Sequence, residues 1–379
     1  MARSTKKILM MTFEYPPQGS GIANVTYALK NALEREGLDI KVLSRGGADI
    51  NVATWTNLLP GLAGLLCFWR EAVNYARRTA EYDFVWLHSP ILLGGIRGLS
   101  SKKRVMVTYH TAYCGYYQSL KLHGINNFLP YYAIASKLEN SFLRNLSSTH
   151  NATATAVAPS VADELRGNGL LLPIHIVPNG LNYSEFPRDP ARKHLARLAL
   201  RRDFSLQLGD SDIVLLYVGR ISERKQPLLL VKTFAAMRTQ FSNIHLILVG
   251  TGNLLTKVKD TAERIENVHV LGYVSDVTRT NLLSAADAFI SLSCYEGLPL
   301  AVLEAAAAGL PIVLSDIPAH RWIVDGLAFD GYLVSSLTPY LESSKIVQYI
   351  VRKHDAVSRM DIGALSWQAI LRKYLDLFK

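Results

Sequence analysis

Two glutamates, Glu296 and Glu304, bracket a short stretch, Tyr295-Glu296-Gly297-Leu298-Pro299-Leu300-Ala301-Val302-Leu303-Glu304. The residues between them have the punctuation of a helix start. Pro299 suits a first helical position, and Gly309 suits the residue just past the end. Gly297 allows close backbone approach, and the first amides of such a helix, near Leu298 and Leu300, point at whatever lies before it. The helix dipole favours an anion there. Carboxylates beside an anion site are unfavourable unless they accept hydrogen bonds from neutral hydroxyls. A sugar joined to a nucleoside diphosphate supplies both, with phosphates on the helix and sugar and ribose hydroxyls on the acids. A second cluster, Gly219-Arg220 and Lys225, follows the apolar run Ile213 to Val218. A guanidinium and an ammonium at a strand end can neutralise a departing diphosphate, although a solvated loop gives the same pattern.

Elements that position these groups are legible around them. Ala288 to Ser293 and Ile312 to Leu314 read as buried strands flanking the helix, and the run Ala305 to Ala308 lets that helix lie close to a sheet. Toward the N-terminus, Ile8 to Thr12 reads as a strand followed by a loop carrying Gly19 and Gly21, then a helix from about Ala23 to Glu36 closed by Gly37. That is half of a mononucleotide-binding unit. Asn24 stands where a dinucleotide fingerprint needs another small residue, which weakens a dehydrogenase reading. A tight turn alone also accounts for the two glycines. Phe84 to Leu87 and Val105 to Thr108 are further strands, ending at His88 and at Tyr109-His110-Thr111. A histidine at the carboxyl end of a parallel strand lies where open α/β sheets bind ligands, while a structural role is the alternative.

The Glu-Gly-Leu-Pro-Leu setting followed by Glu-Ala-Ala-Ala-Ala-Gly-Leu-Pro resembles the donor-site motif of family 4 retaining glycosyltransferases. The resemblance implies the GT-B fold, an α/β architecture of two Rossmann-like domains whose parallel sheets face each other across a cleft. It implies an N-terminal acceptor domain over 1–185, a nucleotide-sugar donor domain over 186–365, and a helix within 366–379 that packs back on the first domain. It also implies the roles. Arg220 and Lys225 clamp the pyrophosphate, Glu296 orients the donor sugar and Glu304 holds the ribose. His110 lies near sugar and acceptor, the Gly19 and Gly21 loop closes over the diphosphate, and Tyr273 and Val274 flank the base. The family commonly has glycine after the lysine, where this chain has Gln226.

The same resemblance implies transfer of a sugar from a UDP- or GDP-sugar to an acceptor hydroxyl with retention, in glycolipid, lipid-linked oligosaccharide or polysaccharide synthesis. No cofactor and no metal are expected. Asp210-Ser211-Asp212 matches a metal motif of a different fold but precedes a strand in a polar turn. Two other readings stay open, a sugar-nucleotide 2-epimerase of the same fold and a non-enzymatic basic protein that binds membrane or another polyanion.

Composition bounds these readings. The 379 residues suffice for two cores, and 49% hydrophobic against 19% charged residues describes an ordered chain. Cys67, Cys114 and Cys294 are scattered with no CxxC pair, which suggests a reducing compartment. The net charge of +10 is spread along the chain: residues 1–185 hold 18 basic and 12 acidic side chains, and the remainder 23 and 19. No RNA-binding motif accompanies it, so nucleic acid is not an expected partner. Anionic substrates or an anionic membrane surface fit better. The apolar run Ile8 to Phe13 is too short for a signal peptide, and Leu58 to Trp69 is broken by Pro60, Gly61 and Gly64. The expectation is a cytoplasmic protein with peripheral association at the inner face of the membrane. Tyr131, Ile134, Ala135, Leu138 and Phe142 read as a core-facing helical stripe, Ser160 as a helix cap, and the arginine-rich helix 188–202 as a solvated face.

Overall fold

The computed structural model describes residues 6–17, 20–52, 59, 61–92, 96–100, 103–181, 190–209, 211–353 and 363–379. The chain divides into two compact units, Met1–Gly180 with Trp367–Lys379, and Leu181–Ser366. The boundary expected between residues 185 and 186 lies outside the described residues, as do Gly19 and Asp210.

Unit 1 is a parallel sheet of β1 (Lys7–Thr12), β2 (Asp39–Ser44), β3 (Ile50–Asn51), β4 (Phe84–His88), β5 (Arg104–Tyr109), β6 (Ala152–Ala156) and β7 (Ile174–Ile176), in the order β3-β2-β1-β4-β5-β6-β7. Unit 2 contains β8 (Ile213–Val218), β9 (Ile244–Val249), β10 (Val268–Gly272), β11 (Ala288–Ser291), β12 (Ile312–Ser315) and β13 (Gly331–Val334), in the order β10-β9-β8-β11-β12-β13. In each sheet the strand order reverses once, between β1 and β4 in unit 1 and between β8 and β11 in unit 2. In open α/β sheets, ligands bind at the carboxyl ends of the strands beside such a reversal.

The strands are continuous apolar runs because helices cover both faces. In unit 2, Leu215, Tyr217, Leu246, Leu248, Ile290 and Val313 pack with Phe234, Val231, Ile346 and Val347. The alternate residues Leu216, Ile247, Phe289 and Leu314 are equally inaccessible on the opposite face.

Local chemistry moves several boundaries from their expected places. The first helix spans Gly21–Arg35, because Ser20 caps it by accepting a hydrogen bond from the Ala23 amide at 3.1 Å. Pro299 is the residue before the helix Leu300–Ala307, with extended backbone, and not its first turn. Gly309 lies just past that helix with φ +75°, the left-handed stop expected of it. Ser160 lies inside the helix Pro159–Gly167, whose preceding residue is Ala158, so it caps nothing. In the helix Leu129–Ser147 the buried stripe is Ala135, Glu139, Phe142, Leu143 and Leu146, whereas Ile134 is exposed. Glu139 belongs there because its carboxylate accepts the Tyr113 and Cys114 amides at 2.9 and 3.1 Å, capping the helix Tyr113–Leu122.

The basic helix Pro190–Phe204 is not simply solvated. Arg197 is buried and pairs at 2.6 Å with the fully buried Asp287, which also binds Lys193 and the Val214 amide. A buried acid needs such partners, and two side chains of this helix and one amide of β8 supply them.

Residues 367–379 belong to unit 1. The helix Trp367–Leu377 buries Ile370, Leu371 and Tyr374. Tyr374 and Phe378 lie against Trp86, with ring centroids 4.8 and 5.4 Å away. Lys6 donates to the Phe378 carbonyl at 2.5 Å.

Candidate functional site

The reversal in strand order between β8 and β11 brings two of the expected residues of unit 2, Lys225 and Glu296, together. Lys225 closes a short helical turn, Glu223–Lys225, after β8, and Glu296 follows β11 just before the helix Leu300–Ala307. The Lys225 ammonium donates to Glu296 Oε1, and Arg224 Nη1 donates to Oε2 at 3.3 Å and to the Tyr295 carbonyl at 3.4 Å. The Arg224 carbonyl accepts the Cys294 amide at 2.8 Å, so the two loops are tied through backbone as well. Burial alone would raise the Glu296 carboxyl, but Lys225 and then Arg224 hold it down to about 2. Burial pushes the Lys225 ammonium down, Glu296 opposes that push, and Arg224 and Arg220 add to it. The cluster is therefore two basic side chains closed around one carboxylate at the start of a helix.

The turn that carries Lys225 keeps its shape without glycine. Gln226 adopts φ +48° and ψ +46°, a left-handed conformation that costs a non-glycine residue roughly 1–2 kcal/mol. Its amide donates to the Glu223 carbonyl at 3.1 Å, and its carbonyl accepts the Leu230 amide, starting the helix Pro227–Arg238.

Arg220 stands exposed at the end of β8, and its carbonyl accepts the Tyr217 hydroxyl at 2.9 Å. Gly219 beside it has no room for a side chain, since a Cβ there would lie 2.8 Å from that hydroxyl. The adjoining loop after β9 presses still closer. A Cβ on Gly250 would lie 1.8 Å from the Gly219 carbonyl oxygen, and one on Gly252 would lie 2.2 Å from that of Ile221. These glycines let two backbones touch, and the Ile221 amide donates to the Thr251 carbonyl at 2.9 Å across the contact.

Glu304 lies in the second turn of its helix and binds Arg279, which also pairs with Asp276 at 3.3 Å. Gly297 and Leu298 are buried, and Leu300 is half-buried. The Leu300 and Ala301 amides belong to the first turn, which has no intrahelical acceptors. Tyr273, beyond β10, is 82% exposed, and Val274 is half-buried. Beneath Glu296, His320 donates from Nδ1 to the Ser315 carbonyl at 2.8 Å, and its buried Nε2 has no partner.

In unit 1, β4 and β5 end on stacked imidazoles. His88 Nδ1 and His110 Nε2 are 3.0 Å apart, with ring planes inclined at 19°. Burial pushes His110 down to about 4 and His88 well below the usual imidazole range, His110 adding to the latter shift. Both are neutral at pH 7. Gly21 is exposed, and a Cβ built there meets nothing within 4 Å, so the fold itself does not require glycine.

Arg224, Arg279 and His320 were not singled out by sequence. Arg224 sat within a charged run, and Arg279 pairs with Glu304 across 25 residues of sequence. Among the described residues, no group of three or more His, Cys, Asp or Glu side chains is placed to hold a metal. Among them, no helix is long and apolar enough to cross a membrane.

The two units match two family models in register with this division. Residues 19–185 match Glycosyltransferase Family 4, and residues 201–346 match Glycosyl transferases group 1. The chain belongs to the family 4 glycosyltransferases of the GT-B fold. It is 24% identical over 323 residues to an alpha-monoglucosyldiacylglycerol synthase of Acholeplasma laidlawii, covering 79% of this chain and 78% of that protein. It is 29% identical over 167 residues to an Escherichia coli UDP-Gal:alpha-D-GlcNAc-diphosphoundecaprenol alpha-1,3-galactosyltransferase, covering 42% of this chain and 41% of that one. In fold it is similar to a sucrose-phosphate synthase of Thermosynechococcus elongatus, with a TM-score of 0.70, 16% identity and 98% of both chains covered. The protein is a glycosyltransferase with relatives in glycolipid and polysaccharide synthesis.

Proposed function

We propose that this glycosyltransferase moves a sugar from a UDP- or GDP-sugar to an acceptor hydroxyl with retention of configuration. The observation that carries the reading is the cationic cage of Lys225 and Arg224 around Glu296, at the sheet reversal and the start of the helix Leu300–Ala307. A diphosphate competes with Glu296 for those cations and meets the amides near Leu300. Once the cations are shared, the Glu296 carboxylate can accept hydrogen bonds from donor sugar hydroxyls. Arg220 and Lys225 stabilise the charge that develops on the departing diphosphate, so this step needs no metal. Glu304, oriented by Arg279, serves the ribose, with Gly19, Gly21, Gly219, Gly297 and Leu298 lining the donor and Tyr273 and Val274 near the base. His110 serves the sugar and acceptor. Among the described residues no side chain is assigned the role of nucleophile, and attack is proposed to proceed on the face from which the diphosphate departs.

The acceptor is proposed to be a membrane lipid or a lipid-linked sugar, as the names of the two curated relatives suggest. Leu122, Phe128 and Ile134 are 67%, 45% and 53% exposed, and Lys121 adjoins Leu122 in sequence, a composition suited to the surface of an anionic membrane. Thermal-shift screening of nucleotide sugars against free nucleotides tests the donor. A product assay with and without acceptor separates transfer from epimerisation. Product from the donor alone would overturn the transfer reading.

A further inference from the structure

The histidine pair of unit 1 makes an assignment possible that the sequence could not reach. Two neutral imidazoles 3.0 Å apart share one proton between His88 Nδ1 and His110 Nε2. Either His88 donates, or His110 does. The remaining nitrogen of His88, Nε2, is buried without a partner. If His110 donated, His88 would carry its own proton on Nε2, leaving an N–H group buried with no acceptor. If His88 donates from Nδ1, Nε2 is a bare lone pair. Orphaned buried N–H groups are rarer than under-satisfied acceptors. The same molecule contains a precedent. At His320 the Ser315 carbonyl can only accept, so Nδ1 carries the proton and a bare Nε2 is buried without a partner.

We propose that His88 is a positioning residue that fixes the tautomer of His110, holding Nε2 as an acceptor and placing the His110 proton on Nδ1. His110 then offers an N–H donor to a substrate oxygen and cannot act as a general base through that nitrogen. Burial supports this, because it keeps both rings uncharged at neutral pH. The tautomer stands on the geometry of unit 1 alone. Its consequence for turnover rests on the proposed role of His110 in sugar transfer.

The direct test is nitrogen-15 NMR of histidine-labelled full-length protein, with His110 and His88 signals assigned from His110→Gln and His88→Asn samples. His320 is an internal reference for a proton on Nδ1. His245 is the reference for Nε2, because it must donate that proton to Asp212 at 3.0 Å. The His110 pattern should match His320, and a match to His245 would overturn the proposal. The kinetic test compares His88→Asn, which retains an amide donor, with His88→Asp, which presents an acceptor. His88→Asn should keep turnover within about threefold, and His88→Asp should lose roughly tenfold or more at unchanged fold. Equal activity of the two variants, with the His110 proton still on Nδ1, would refute the donor role in catalysis and leave the tautomer standing.

Discussion

The two units place different chemistry at equivalent points of similar sheets. In unit 2 the strand ends carry a carboxylate clamped by a lysine and an arginine. In unit 1 they carry two stacked imidazoles that burial keeps neutral. A parallel sheet whose strand order reverses supplies the strand tips in both cases. What differs is the charge of the side chains at the strand tips. An ionic tip suits phosphate, and a neutral, directional one suits hydroxyls.

The largest effect should come from removing a basic side chain at or beside the ionic tip. Lys225→Ala or Arg220→Ala should lower turnover about a hundredfold or more, read as initial rate at saturating donor with the circular dichroism spectrum unchanged. Unaltered turnover in both variants would remove the charge from the reaction. The neutral tip comes next. His110→Ala should lower turnover by about tenfold to a hundredfold while nucleotide affinity, measured calorimetrically, stays within about twofold. A collapse of nucleotide affinity instead would erase the division of labour between the tips. Smaller still, Arg279→Met should raise the donor KM roughly fivefold and leave kcat within about twofold, because it loosens Glu304 without touching the proposed diphosphate clamp.

The smallest effect separates the tips by pH. The depressed His110 pKa means the unfolded chain takes up that proton first, so the stability of the neutral form is complete above 6.5 and is lost as pH falls through about 4. Glu296 is ordinarily near 4.5 and is held at about 2, so its contribution is complete above 4.5 and is lost as pH falls through 2. Thermal melts at pH 7, 5 and 4 should therefore show a steeper decline for the wild type than for His110→Asn, by on the order of 2 kcal/mol. His320 and His269 of unit 2, also held near 4, add to the decline in both proteins. Parallel declines would mean that His110 is solvated and titrates normally.

The strands could be read from sequence because burial on both faces writes them as unbroken apolar runs, such as Ile213 to Val218. Lys225 and Glu296 were legible because each lies in the loop that follows such a run. Arg279 was not, since its partner lies on another helix and nothing local distinguishes it from a solvated arginine. The Arg197–Asp287 pair had a signal that went unused. Asp287 interrupts the sequence Ala285-Ala286-Asp287-Ala288, where an acid buried among alanines must find a cation. The His88–His110 contact depended on register. His88 lies opposite Thr108, so His110 passes it by two residues and reaches back at the strand end.

The helix Trp367–Leu377 ties the first-made unit to a late part of the chain. During synthesis, β1 to β7 leave the ribosome well before Tyr374 and Phe378 can cover Trp86, and all of unit 2 is translated in the interval. Trp86 and Phe84 must therefore wait exposed, or find temporary cover, until those residues arrive. Nascent chains stalled before residue 367 should accordingly be more open to proteases and chaperones in unit 1 than in unit 2.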